Sequence, residues 1–301
     1  MSTIVVLGDV NVDVISVIDG RINFASDTSS INRLAVGGSP CNMAAWAANA
    51  SGNVSLIADV GDDFLGEWVI NHLSTCSIDT AFIQQVDGRT GTCVIIVDEQ
   101  GQRTMFPDFG ANLDVVLNEE RIRAITVASV LVMSAYTFMR PETQELARQA
   151  VDFAQASGTR IVIDAASSAP IHSWGPSRVR EFLSCADLVL ANDDEISALT
   201  QDGHESWLHT LPNVVVKHGA GGASWWSNGE LHTQLPAQTL TVIDTTGAGD
   251  ALCGGLVARL VSHGDWDSLT DVDRLEALTF AIATASACCT QIGAWPSGSA
   301  Q

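Results

Sequence analysis

Cations are scarce in this chain. Its 301 residues carry 14 Lys and Arg against 35 Asp and Glu, a formal charge of −21, and Lys217 is the one lysine. Such a surface repels phosphate backbones and argues against a nucleic-acid partner. Cysteine motifs are missing too: Cys41, Cys76, Cys93, Cys185, Cys253, Cys288 and Cys289 form no CxxC pair, and an odd total does not close a disulfide framework. They are expected to be reduced and mostly buried, in a cytoplasmic protein. No basic segment opens the chain; "MSTIVVLGDVNVDVI" meets Asp9 and Asp13 early and reads as a first strand rather than a signal peptide. The uncharged runs 124–139 and 277–301 contain Ser, Thr and Gln, and Gly293 and Pro296 break the second, so they read as core elements with no membrane role. Two common phosphate loops are absent. The lysine precedes His218 instead of Ser or Thr, which excludes a Walker A loop, and neither "GGSPCN" nor "GAGGAS" fits the dinucleotide fingerprint.

What is present is enough apolar material, 46%, for one large core. Runs of Val, Ile and Leu recur as "TIVVLGDV", "VSLIADVG", "VASVLVMSA", "RIVIDA", "ADLVLAN" and "NVVVKHG". Helical spacing lies between most of them, as in "RPETQELARQAVDFAQASG", whose last Gly suits a C-cap. This alternation predicts an α/β fold, a doubly wound and mainly parallel sheet covered on both faces. Residues 12–35 and 86–109 break the rhythm with period-two alternation and the turn pairs Asp19-Gly20 and Asp87-Gly88. They predict a small inserted β-sheet, a lid, with 1–11, 36–85 and 110–301 forming the core. An edge extension or a dimer face is the other reading of that sheet.

The stretch "TVIDTTGAGDALCGGL" sets Gly247, Ala248 and Gly249 before Asp250 at a helix start. Free N–H groups and the positive helix end suit an anion there. Asp250 would then accept a proton from a hydroxyl held beside that anion, so the pair suits phosphoryl transfer. Taken alone, "GAG" is equally an ordinary strand-to-helix turn.

With the other motifs, the chain resembles the ribokinase-like, or PfkB, carbohydrate kinases over nearly its whole length. The matches, in order, are Gly8, Asn11 and Asp13; Gly37, Gly38 and Asn42 in "GGSPCN"; Asn192 and Glu195 in "NDDE"; Gly219 and Gly222 in "KHGAGG"; "DTTGAGD"; and "GAWPS" near the end. The resemblance implies ATP and Mg2+ as cofactors and a small sugar as substrate, a ketohexose or pentose phosphorylated on a primary hydroxyl. Asn11, Asp13, Gly37, Gly38 and Asn42 would bind the sugar, and Asp250 would be the base over an anion hole of Gly247, Ala248 and Gly249. Asn192, Glu195, Lys217, Gly219, Gly222, Gly247 and Gly249 would border the nucleotide, with Glu195 reaching Mg2+ through water. A monovalent cation, K+, would use Asp244, Thr246, Cys288, Gln291, Gly293 and Ser297. A homodimer through the lid is a further implication.

The residues read on their own leave alternatives. Asn11 and Asp13 are placed at the C-terminal end of the first strand, where open sheets bind ligands, or in a strand-end turn. The "GGSPCN" segment is also a helix start that Ser39 would cap. Asp193 and Asp194 read as first-turn acids facing the helix dipole. Lys217 is equally a snorkelling edge residue, and Trp225-Trp226 reads as packing. Ser39-Pro40-Cys41 replaces the insert of ribokinases proper and is closer to fructokinase-like relatives. Tyr136 stands where ribokinases carry a sugar-contacting Glu, with Glu142 the next carboxylate, which puts ribose in doubt. Arg33, Arg89 and Arg103 are the lid cations available to a sugar phosphate. A nucleoside kinase would need an aromatic slot, for which Phe24, Phe106 and Phe109 are the candidates; a non-catalytic sugar sensor would not need "GAGD".

Overall fold

Runs of Val and Ile favour extended backbone because their branched Cβ packs well on a pleated face. The structure, a computed structural model, describes residues 3–201 and 205–296. Its strands are β1 (Ile4–Leu7), β2 (Asn11–Ile18), β3 (Ser30–Gly37), β4 (Val54–Gly61), β5 (Ile78–Asp79), β6 (Ile83–Val86), β7 (Thr92–Val97), β8 (Arg103–Asp108), β9 (Val130–Ser134), β10 (Arg160–Asp164), β11 (Leu188–Asn192), β12 (Val214–Lys217), β13 (Ala223–Ser227) and β14 (Glu230–Leu235).

Ten strands form one sheet in the order β14, β13, β12, β11, β10, β9, β1, β4, β5, with β6 also paired to β4. It is parallel from β12 to β5, and β13 and β14 add an antiparallel hairpin at one edge. In the centre, Ile4 of β1 pairs with Val54 on one side and Val130 on the other. Its side chains alternate between two cores: Ile4 and Val6 enter one, Val5 and Leu7 the other, and none is more than 1% exposed. That two-faced burial is what continuous apolar strands require, and the doubly wound class expected from the sequence is the one observed.

The helix Gln144–Ser157 buries Leu146, Ala147, Ala150, Val151 and Ala154, and Gly158 caps it in the left-handed conformation at φ 75°. The uncharged run 124–139 supplies the end of the helix Glu119–Val127 and all of β9. Among the described residues no helix is long and apolar enough to cross a membrane.

A second sheet of four strands runs in the order β3, β2, β7, β8. It takes in Asn11, Val36 and Gly37, which the sequence reading left in the core, while Val86 closes β6 of the large sheet. One placement is corrected. Asn11 and Asp13 do not end the first strand, because β1 stops at Leu7, Gly8 turns the chain at φ 149°, and Asn11 opens β2 of the small sheet.

Arg121 pins the connection from β4 to β6. It is 1% exposed and donates to the carbonyls of Ala58 (2.8 Å), Phe82 (2.9 Å) and Val116 (2.8 Å), and to the Asp59 carboxylate. Removing one partner strands a buried carboxylate and three carbonyls. Arg121→Met is therefore expected to cost about 3–5 kcal/mol, read as a lower urea midpoint at unchanged m-value.

Candidate active site

The helix Ala248–Leu260 begins at Gly247, whose φ of 74° is left-handed and where a Cβ would lie 2.5 Å from that of Ala294. Only glycine fits that turn without strain. Gly249 and Asp250 then fall in the first helical turn, whose N–H groups have no intrahelical acceptor, while the N–H of Ala248 bonds the Thr245 carbonyl at 3.2 Å. The carboxylate of Asp250 is held from a second helix, Ser39–Ser51. Ser39 Oγ donates to Oδ1 at 2.7 Å and Asn42 Nδ2 to Oδ2 at 2.8 Å. Burial pushes the Asp250 pKa up to about 6, against the lowering effect of those two hydrogen bonds. Ser39 is thus not the cap of its helix; Gly38 occupies that position without a side-chain bond. Asn42 is 7% exposed, and its Oδ1 has no partner.

On the side of the small sheet, Asn11 Oδ1 accepts from Asn112 Nδ2 at 2.8 Å. Asn112 is itself 1% exposed and fixed by the N–H and carbonyl of Val10 and the carbonyl of Phe109. This clamp leaves the Asn11 amide nitrogen to donate elsewhere. Asn112 escaped sequence reasoning because a single Asn in a short 3₁₀ turn has no pattern. Asp13 lies against Gly37, where a Cβ would come within 2.2 Å of its carboxylate. Burial pushes the Asp13 pKa up to about 7. A cavity of about 530 Å3 opens beside it, lined also by Arg33, Ile95, Arg103, Thr245, Thr246 and Gly293. At the end of β1, Asp9 binds Arg140 through two bonds of 2.9 and 2.5 Å, and that guanidinium lies 3.9 Å over the ring of Phe109.

A second cavity, of about 460 Å3 and within the range of small-molecule pockets, lies among four of the residues expected to border the nucleotide. Lys217, Gly219, Gly222, Ala248 and Gly249 line it, and Leu252 and Ile282 give it an apolar wall. Lys217 does not snorkel: its Nζ bonds Asp164 Oδ2 at 2.6 Å, with 13% of the side chain exposed. Burial works to lower the pKa of this ammonium, and Asp164 and Glu195 outweigh it and raise it. Asp164 was missed, although an acid closing the strand "RIVIDA" in the same sheet was a usable signal. Asn192 and Glu195 form a reciprocal capping box at the start of the helix Asp193–Thr200, and neither lines this cavity. Burial first, then Asp164, pushes the Glu195 pKa up to about 7 against the pull of Lys217. Asp193 and Asp194 stand in the first turn, as the dipole reading expected, and His218 bridges Asp193 and Ser224 at 2.8 Å each. Trp225 is fully buried and is a packing residue.

Three of the residues ascribed to a monovalent cation do converge. Asp244 Oδ1 accepts from the N–H and hydroxyl of Thr246 (2.8 and 2.6 Å), and Oδ2 from the N–H of Gly293 (3.0 Å). Arg103 of β8 also donates to Oδ1. Burial would raise the Asp244 pKa, and the bonds from Thr246 and Gly293, with Arg103, hold it below the usual carboxylate value. Cys288 Sγ donates to the Thr246 carbonyl at 3.2 Å, and Gln291 donates to the Trp295 carbonyl. Ser297 lies outside the described residues. The seven cysteines are free, four of them buried. Among the described residues no group of three or more His, Cys, Asp or Glu gathers to hold a metal.

The aromatic slot is not assembled: Phe24 is 88% and Phe106 54% exposed, and neither lines the two cavities, while Phe109 is covered by Arg140. Arg89 pairs with Asp108 at 3.2 Å on the surface, away from both cavities.

The chain is similar in sequence and in fold to known kinases. An ATP-dependent ribose-1-phosphate kinase of Halopiger xanaduensis is 31% identical over 268 residues, 86% of this chain and 84% of that one. A fructokinase of Vibrio alginolyticus is 28% identical over 88% of this chain and 86% of its own. The crystal structure of adenosine kinase from Sinorhizobium meliloti superposes with a TM-score of 0.84 at 24% identity, covering 99% of this chain and 97% of that one. The pattern of the pfkB family carbohydrate kinases matches residues 1–299. With the family pattern spanning nearly every residue, the chain belongs to the pfkB family and is a carbohydrate kinase.

Proposed function

We propose that this kinase transfers the γ-phosphoryl group of ATP to a primary hydroxyl of a small sugar, a ketohexose or pentose, with Asp250 as general base. The observation that carries the reading is the Asp250 carboxylate, set in the first turn behind Gly247 and aimed by Ser39 and Asn42. A base must be close to the proton it takes and ionised at working pH, and a pKa of about 6 meets the second need. Asn11 and Asp13 offer an amide donor and a carboxylate acceptor to sugar hydroxyls. The first-turn N–H groups of the helix Ala248–Leu260 oppose charge growing on the transferred group. The small sheet, which carries Asp13 and brings Arg103 to Asp244, keeps water from competing as acceptor.

Asp164 and Glu195 set two carboxylates against one ammonium, Lys217, and each of their oxygens already accepts a hydrogen bond, from Ala166, Lys217 or Asn192, so Mg2+ would meet them through the waters it keeps and not by direct ligation. Held with the nucleotide, it would offset phosphate charge; Lys217 itself keeps Asp164 and Glu195 from repelling that nucleotide. The residues ascribed to K+ fit poorly, since both Asp244 oxygens are already taken. Arg33, in the cavity beside Asp13, favours a second acceptor class, sugar phosphates. That class includes the acceptor named for the Halopiger xanaduensis relative.

The outer face of the small sheet carries Leu34, Val94 and Phe106 in cross-strand neighbourhood through Val14, each between 41% and 54% exposed. A second copy of this chain, presenting the same face, is the proposed occupant. Light scattering is expected to give twice the monomer mass, and Phe106→Glu to give the monomer.

ADP release from Mg-ATP against ribose, fructose, ribose 1-phosphate and nucleosides tests the main reading. Asp250→Asn is expected to lower turnover on the accepted sugar by about 10²- to 10⁴-fold with little change in sugar affinity. A variant within threefold of wild type would remove Asp250 as the base.

The base acts ionised, so kcat/KM should rise with pH through about 6 and level off above it. Asn42→Leu removes a hydrogen bond that favours the carboxylate, so the inflection should move to higher pH. An inflection that stays put would show that Asn42 does not set it.

A further inference from the structure

Asp244 is a carboxylate at an awkward place. It is 9% exposed and lies in the loop that runs into Gly247, Ala248 and Gly249, where the proposed reaction gathers negative charge. The N–H and hydroxyl of Thr246 and the N–H of Gly293 satisfy its oxygens but are neutral, so they leave its charge in place. A full positive charge is needed to cancel it, and the only one in contact with it among the described residues is the guanidinium of Arg103. Arg103 is 141 residues away in sequence and belongs to the small sheet, at the start of β8. Its side chain is 24% exposed, so the pair is shielded from solvent and is screened less than a surface ion pair. An acceptor that an ion would share is also in use: the Thr246 carbonyl takes the Cys288 thiol.

We propose that Arg103 is the built-in cation of the phosphoryl-transfer site, taking the place that the family resemblance gives to K+, so that the enzyme works without a monovalent cation. The inference rests on the kinase reading above. The guanidinium neutralises Asp244 and thereby protects the N-terminal end of the helix Ala248–Leu260 as an anion site. Since Arg103 rides on the small sheet and Asp244 on the core, the charge is complete only when that sheet stands over the site. Arg103 is a positioning residue: it acts through Asp244 and the loop, and it does not touch the reacting atoms.

The test uses the whole chain in an N-methylglucamine buffer, with KCl compared against choline chloride at about 100 mM, where a specific ion would stabilise the fold by mass action. Two readouts are taken, the thermal midpoint without substrate and ADP release with the accepted sugar. For the wild type, neither readout should respond to K+. Arg103→Ala should lose about tenfold or more in turnover. It should also gain a K+ response, with KCl but not choline raising its midpoint by a few degrees and restoring turnover to within about threefold of wild type. Arg103→Lys, which keeps a point charge, should retain turnover within about fivefold and show no K+ response. Arg259→Ala, which breaks an exposed pair with Glu276, should show no K+ response in either readout.

Wild-type activation or stabilisation by K+ would overturn the proposal. So would an Arg103→Ala enzyme that keeps its turnover, or one that loses it and gains no K+ response, since a merely structural ion pair predicts the last of these. The melting readout needs no substrate. Failure to phosphorylate any acceptor, alongside a K+ response confined to Arg103→Ala, would therefore sink the sugar-kinase reading and leave the cation assignment standing.

Discussion

Everything in the site is arranged around keeping carboxylates ionisable beside an anion. Four of them, Asp164, Glu195, Asp244 and Asp250, lie along the C-terminal edge of the parallel sheet and the loop beyond it. Each has a different solution. Lys217 neutralises Asp164, a capping box holds Glu195, backbone donors and Arg103 hold Asp244, and the two side-chain donors Ser39 and Asn42 hold Asp250. The difference in partners separates their chemistry. Neutral bonds from Thr246 and Gly293, with Arg103 after them, keep Asp244 low, whereas burial outweighs the two neutral donors of Asp250 and leaves it at about 6, where it can both hold and release a proton.

The fold supplies that edge cheaply. In a doubly wound sheet the strand ends on one side are where loops and helix starts converge. β11 and β12 set Asn192 directly beside Lys217, and Asp164 ends β10 opposite Leu190, two residues before Asn192, where the Lys217 ammonium reaches it. The small sheet answers what a flat edge cannot, namely closure from above. β2 and β3 bring Asp13 against Gly37, two residues before the helix Ser39–Ser51, and β8 brings Arg103 to Asp244.

Most of the fold could be read from the chain because alternation between apolar runs and helical spacing is a local signal that survives without tertiary knowledge. Gly158, Trp225 and the first-turn acids Asp193 and Asp194 stand where local rules put them. The reading failed where partners are distant in sequence. Ser39 looked like a cap because a serine at a helix start usually is one, yet it is drawn to Asp250, 211 residues away. Lys217 read equally as bordering the nucleotide or as an edge residue, and the sequence did not show Asp164, 53 residues earlier, as its partner. Asn112 and Arg140 carry no motif at all; their roles exist only once β1, the 3₁₀ turn Gly110–Leu113 and the segment after β9 meet. Asn11 was misplaced by one turn, since "TIVVLGDV" contains nothing except Gly8 to say that the strand stops at Leu7.

A chain of charge −21 that handles an anionic nucleotide looks contradictory only if charge is counted globally. Exposed charges farther apart than about 8 Å are largely screened at physiological ionic strength, so most of the 35 acids scarcely reach the site. What reaches it is local: the Lys217 ammonium, the guanidinium groups of Arg103 and Arg33, and helix-start N–H groups that carry no formal charge to be counted. Scarcity then has a consequence of its own. With one lysine in the whole chain, and Arg103 the one ion-pair partner of Asp244 among the described residues, each contact rests on a single side chain and on the sheet that carries it. With Arg103 as the proposed cation, the small sheet is an electrostatic component of the site, because the field at Gly247 to Asp250 then depends on whether β8 is in place.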